Sequence, residues 1–150
     1  LRGEIMRPCS KQWRITLPYG VLYPPELQYL TADKKHHGVD IGTPIGAPVG
    51  ASVNGIINEL GYLRGYGLSI IIKFTTGILW NKKLYRLILA HLSEITTKKR
   101  IGQQVNKLEN VALSGDSGMA KNHAHLHAEV QKLTSDGWVS VDPSPFIGAV

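Results

Sequence analysis

His123-Ala124-His125-Leu126-His127-Ala128-Glu129-Val130 alternates a polar ring or carboxylate with an aliphatic side chain. Successive side chains of a β-strand point to opposite faces, whereas a helix would return its apolar residues every three or four positions. The stretch therefore predicts a strand. Ala124, Leu126, Ala128 and Val130 pack on a core, and the three imidazoles and Glu129 share the other face. Same-face neighbours lie roughly 7 Å apart along a strand. Two imidazoles at that spacing can converge on one ion, or one can bind while the next handles protons. The alternation leaves open which of His123, His125 and His127 binds.

The same period of two recurs upstream. Leu68, Ile70, Ile72 and Phe74 fall on one face, with Ser69 and Lys73 opposite. Thr75-Thr76-Gly77 turns the chain, and Asn81-Lys82-Lys83 turns it again before the apolar segment Tyr85 to Leu92. Further short strands are expected at Trp13 to Leu17, Asn110 to Leu113 and Trp138 to Val141. Proline-containing breaks follow the first and the last of these, at Pro18-Tyr19-Gly20 and Asp142-Pro143. Sixteen glycines and eight prolines in 150 residues suit frequent turning rather than a helical bundle. The expected class is all-β and mainly antiparallel, with sheets folded over each other. The length suits one domain, 1–150, with an irregular lead-in over 1–35 and a core over 36–147.

Composition narrows the function. Hydrophobic residues at 43% and charged residues at 19% fit a globular chain, not a disordered one. The single Cys9 excludes an internal disulfide framework and a cysteine-rich structural metal site. No run of 18 apolar residues is present, so no membrane insertion is expected. The net charge of +6 suits a polyanion. No zinc-finger spacing, ribonucleoprotein motif or basic helix supports nucleic acid as that partner. The start at Leu1 suggests a processed product or part of a larger chain.

The six histidines fall in three places: His36-His37, His91, and His123, His125, His127. In His36-His37-Gly38-Val39-Asp40 the glycine would let the chain bend, so that an imidazole and a carboxylate reach one point. Nitrogen and carboxylate oxygen form an ordinary zinc ligand set. His91 follows Tyr85, Leu87 and Leu89 at even spacing and is expected on their face. Two histidines and one aspartate would make three protein ligands, the number that leaves a coordination position open for chemistry. Further histidines beside such a centre would bind an oxyanion or shuttle protons. The implied reaction is metal-assisted hydrolysis of an amide or ester.

These residues resemble the lysostaphin/LytM-type zinc metallopeptidases. His36-His37-Gly38-Val39-Asp40 matches that family's H-x-G-x-D, and His125-Leu126-His127-Ala128-Glu129-Val130 is similar to its HLHFEV. Between them, Gly42 to Val49, Gly65-Tyr66-Gly67, His91-Leu92-Ser93, Gly102-Gln103-Gln104-Val105 and Gly115 to Gly118 resemble further family segments, in order. Asp142-Pro143 matches the closing DP. The resemblance runs from about Ile15 to Ile147.

It implies a folded β-sheet domain of the duplicated hybrid motif type, with an open groove holding one zinc ion. By resemblance His36, Asp40 and His127 bind the zinc. His91 and His125 are the non-ligand histidines that orient the attacking water and stabilise the tetrahedral intermediate. The implied substrate is a peptide bond of bacterial peptidoglycan, in the stem cross-link or the interpeptide bridge. Leu89, Ala124 and Ala128 depart from the usual residues. The stretch from Phe74 to Arg86 is longer than usual, which suggests an extended hairpin beside the groove. His37 sits at the variable motif position and is expected to be a non-ligand. Glu129 and Asp33 are candidates for orienting ligand imidazoles. His123 and Tyr29 are candidates for the groove.

Two other functions fit the same chain. One is a non-catalytic wall-binding or amidase-activating module, although such relatives usually lose metal ligands. The other is a component of a phage tail or virion that uses the domain for local wall penetration. Either way the expected place of action is extracytoplasmic (cell wall, periplasm or secreted) or virion-associated.

Overall fold

A computed structural model describes residues 7–107 and 109–148; the first six residues of the expected lead-in lie outside these. The strands are β1 (Ile15–Leu17), β2 (Val39–Ile41), β3 (Pro48–Gly50), β4 (Gly55–Leu63) and β5 (Gly67–Thr76). They continue with β6 (Lys83–Ile95), β7 (Gln104–Val105), β8 (Asn110–Ser114), β9 (Leu126–Thr134) and β10 (Gly137–Val141). One short helix, α1 (Ser144–Ile147), follows the last strand. The lead-in carries β1 and a 3-10 helix, Pro25–Leu30, which starts at a proline whose missing N–H would have no partner there.

Every strand pairing is antiparallel. The order across the sheet is β1-β2-β9-β6-β5-β4-β7, with β10 also on β9 and β8 joining β6 to β3. The longest strand, β6, makes the fold turn. Its first part, Tyr85 to Ala90, pairs with β9, and its last part, Leu92 to Ile95, pairs with β8. A bulge separates the two parts: β5 advances from Leu68 to Ile70 while β6 covers Leu89 to Leu92. Bulges bend a strand and sharpen its twist, so the sheet folds over at this point.

The core lies on one face of this folded sheet. Ile41, Ile57, Ile70, Ile72, Leu87, Leu89, Leu92, Leu126 and Val130 are almost completely buried there. Each such side chain contributes about 1.5–3 kcal/mol relative to exposure. Phe74 stacks on Tyr85, and Phe146 of α1 closes on both. The opposite face carries a small cluster of Ile71, Ile88 and Ala90 against Leu63 and Tyr66. The expected alternation of Leu68, Ile70, Ile72 and Phe74 holds along β5.

Two local expectations change, and one strand has no counterpart in the sequence reading. The strand expected from His123 begins at Leu126; residues 118–120 form a 3-10 turn and Asn122 takes φ 68°, which ends extended structure before His123. The strand without a counterpart is β4, which carries an extra residue, Asn58, between Ile57 and Glu59 opposite consecutive residues of β5, so its apolar residues do not alternate evenly. The hairpin between β5 and β6 is present, but none of residues 77–83 lines the groove; its apex lies at the strands' far end.

Candidate active site

β2 and β9 are neighbours, and Asp40 stands directly opposite His127 in their register. Val39, Ile41, Leu126 and Ala128 face the core, so Asp40 and His127 share the outer face. His36 precedes β2 and is 1% exposed. The lead-in holds it: its N–H donates to the Val21 carbonyl, and its own carbonyl accepts from Gly20. The His36 ring donates Nδ1–H to the Pro18 carbonyl at 3.0 Å, which leaves the Nε2 lone pair free. His127 uses the opposite nitrogen. Its Nε2–H donates to Glu129 Oε1 at 3.0 Å, leaving Nδ1 free.

Three lone pairs therefore meet. His36 Nε2 is 3.1 Å from Asp40 Oδ1 and 3.2 Å from His127 Nδ1, and His127 Nδ1 is 2.8 Å from Asp40 Oδ1. Neutral imidazoles fixed in these tautomers offer no proton to share among the three atoms. A cation at the centre resolves the conflict. Atoms bound to one zinc ion at about 2.0–2.2 Å each lie roughly 3.3 Å apart in a tetrahedral arrangement. The donor set thus fits zinc, and both imidazoles have the carbonyl or carboxylate partner that ligating histidines use to fix their orientation. The carboxylates around His127 favour positive charge at this point. Burial disfavours charge on His127, but hydrogen bonds to Asp40 and Glu129 outweigh it and hold the imidazole up at about 9. Burial works against charge on Asp40 as well, yet its bonds to His127 and His36 hold the carboxyl well below the usual range.

Glu129 is 2% exposed and accepts four side-chain donors. His127 Nε2 and Tyr66 Oη meet its Oε1, and Gln131 Nε2 and Ser140 Oγ meet its Oε2. A carboxylate so held is a rigid orienting partner for His127.

His91 does not lie on the face of Leu87 and Leu89, as even spacing suggests. It takes φ 60° inside the β6 bulge, which returns Leu92 to the core and sends His91 to the outer face. Its ring centre is 4.8 Å from that of His125 and 6.0 Å from that of His127. Its Nδ1–H donates to the Ser117 carbonyl at 2.8 Å. His125 Nδ1–H donates to the His123 carbonyl at 2.7 Å, and its Nε2 lies 3.5 Å from Asp40 Oδ2. Burial first, then the neighbouring His125 and His127, push His91 down to about 4, so it is neutral at pH 7.

A groove of about 460 Å³ runs over these groups. Tyr23, Leu27 and Leu30 of the lead-in line it, as do Arg64, Tyr66, Met119 and His123. The structure thus brings His36, Asp40, His91, His125, His127 and Glu129 together and leaves His123 at the rim. Tyr29 does not reach the groove: it is 72% exposed and outside the lining. Asp33 does not orient a ligand; it pairs at 2.8 Å with His37, an exposed contact. Sequence reasoning missed Tyr23, whose ring stands edge-on to His36 with centres 5.6 Å apart, and the bond from Tyr66 to Glu129. Tyr66 was visible within Gly65-Tyr66-Gly67. The carbonyls of Pro18 and Ser117 have no sequence signal.

Residues 34–143 match the model of peptidase family M23. The chain belongs to peptidase family M23. This M23 chain also shares its fold with solved structures. The catalytic domain of the antimicrobial peptidase lysostaphin from Staphylococcus simulans is 25% identical, with a TM-score of 0.70, covering 93% of this chain and 98% of that one. LytU is 28% identical with a TM-score of 0.67, covering 91% and 85%. A zinc-containing peptidase from Vibrio cholerae is 27% identical with a TM-score of 0.66; 89% of this M23 chain aligns with 37% of that larger one. No curated protein matches the chain. The M23 chain is thus of the metallopeptidase type, on the lysostaphin-like all-β fold, and His36, Asp40 and His127 could hold a metal ion.

Proposed function

We propose that this chain is a zinc-dependent endopeptidase that hydrolyses peptide bonds of bacterial peptidoglycan outside the cytoplasm. The observation that carries this reading is the convergence of three lone pairs, from His36, Asp40 and His127, on the floor of a groove that also presents two non-ligand histidines. Family membership and the shared fold with lysostaphin support a hydrolase of the peptidoglycan type.

Zinc, when bound, supplies Lewis acidity that polarises a carbonyl and makes water a competent nucleophile near neutral pH. The chain's own residues do the rest. The groove holds the peptide extended past Asp40 and His127. His91 and His125 each commit Nδ1–H to a backbone carbonyl, which fixes both rings. Their Nε2 atoms orient the attacking water and stabilise the oxygen of the tetrahedral carbon. Glu129 keeps His127 in the tautomer that frees Nδ1.

Digestion of purified walls of several cross-link types, with mass spectrometry of the released fragments, tests this. Wild type with zinc should create new amino termini. Chelation should abolish them and added zinc restore them. His125→Ala should keep its zinc and lose about 10²–10⁴ in turnover. Zinc-loaded wild type that opens no bond in any wall would overturn the proposal.

A further inference from the structure

The apex of the β5–β6 hairpin exposes three consecutive large apolar side chains: Ile78 at 78%, Leu79 at 75% and Trp80 at 98%. Monomeric proteins seldom show such contiguous apolar surface without a partner for it. Nothing in the fold calls for them. The loop is closed by its backbone: Asn81 N–H donates to the Ile78 carbonyl, and Gly77 packs so tightly that a Cβ there would strike Asn81. Leu79 takes φ 47°, which glycine or asparagine adopts at less cost. An apolar residue at a solvent-facing, left-handed position serves something other than stability.

The charge around the apex points to the partner. Residues 73–86 hold Lys73, Lys82, Lys83 and Arg86 and no aspartate or glutamate. Lys73 and Arg86 stand opposite each other farther down the hairpin, where Arg86 donates to Gln131 and lies over the Trp138 ring. Lys82 and Lys83 are exposed immediately behind the apolar tip. A convex apolar tip with tryptophan foremost and a cationic collar has the makeup of an interfacial anchor. The tip enters the acyl boundary, the indole sits at headgroup level, and ammonium groups meet anionic headgroups. Lys83, behind the apex, lies about 26 Å along β6 from His91, so such docking leaves the groove open.

We propose that this hairpin apex docks on an anionic lipid surface. Docking of this kind is peripheral, consistent with no helix among the described residues being long and apolar enough to cross a membrane, and is independent of the peptidase reading. Sedimentation of the whole protein with vesicles tests it, comparing phosphatidylcholine alone with phosphatidylcholine plus phosphatidylglycerol. Binding should be at least about tenfold tighter on the anionic vesicles. Lys82→Gln with Lys83→Gln should weaken it about fivefold per lysine, and Ile78→Ser with Trp80→Ser about tenfold or more. Wild-type tryptophan emission should shift to the blue on anionic vesicles. Trp80→Phe should bind and show no shift, which separates Trp80 from Trp13 and Trp138. Circular dichroism of each variant in the near ultraviolet checks that the fold is kept. Three results would each overturn the proposal: no binding to anionic vesicles, equal binding by the serine variant, or binding that a soluble polyanion displaces fully with no emission shift. Capture by insoluble wall through Trp80 without vesicle binding would also overturn it, in favour of a wall-polymer contact.

Discussion

Gly38 stands against the ring of His127. A Cβ at this position would lie 2.6 Å from His127 Cε1 and 2.7 Å from the Ala128 carbonyl oxygen. Gly38→Ala should therefore push the imidazole off the point where the three donors meet. Zinc affinity should fall tenfold or more, read by competition against a chromogenic chelator; unchanged affinity would show that the ring relaxes freely. The glycine of His36-His37-Gly38-Val39-Asp40 was legible in the sequence, but its reason was not. Bending was the expected cause, yet Gly38 is absent from the glycines with positive φ. What matters is the missing side chain, a property of a contact across 89 positions that no local pattern encodes. Tyr23 and Tyr29 make the same point. They precede His36 by 13 and seven residues, and only the path of the lead-in decides which ring reaches the groove.

The bulge in β6 shows how an element can overrule its own pattern. Even spacing puts His91 with Leu87 and Leu89; one added residue puts it across the sheet with His125 and His127. Such a position favours glycine, because a Cβ in the left-handed region costs about 1–2 kcal/mol. His91→Gly should accordingly be more stable than His91→Ala by about 1 kcal/mol in urea unfolding, the reverse of the usual order within a strand. Equal stabilities would show that the bulge relaxes when the imidazole is gone. Strands with unbroken alternation, β5 and β9, were legible from apolar periodicity. β4 and the end of β6 were not, since Asn58 and His91 each shift the phase by one. The bulges are set by pairing with neighbouring strands, and pairing is not local information.

At the scale of the molecule, the all-β class followed from alternation, turn residues and the poor case for helices. The lead-in carried less signal. It was expected to be irregular, and it does contain little regular structure, yet its Pro18 and Val21 carbonyls seat His36 and its Tyr23 walls the groove. Because the ligands come from separate parts of the chain, metal should stabilise the whole fold. At zinc about 1,000-fold above its dissociation constant the gain is about 4 kcal/mol, or roughly 10 °C for a chain of this size. Calorimetry with zinc and after chelation measures it; identical melting curves would show that the native donors do not hold the ion. The separation of those donors has one more consequence. His36 and Asp40 are made before His127, which follows Asp40 by 87 residues and meets it only when β9 settles between β2 and β6. A nascent chain, or one nicked ahead of Leu126, holds two donors without the third. The three-donor centre is thus complete only after β9 has been made and has docked between β2 and β6.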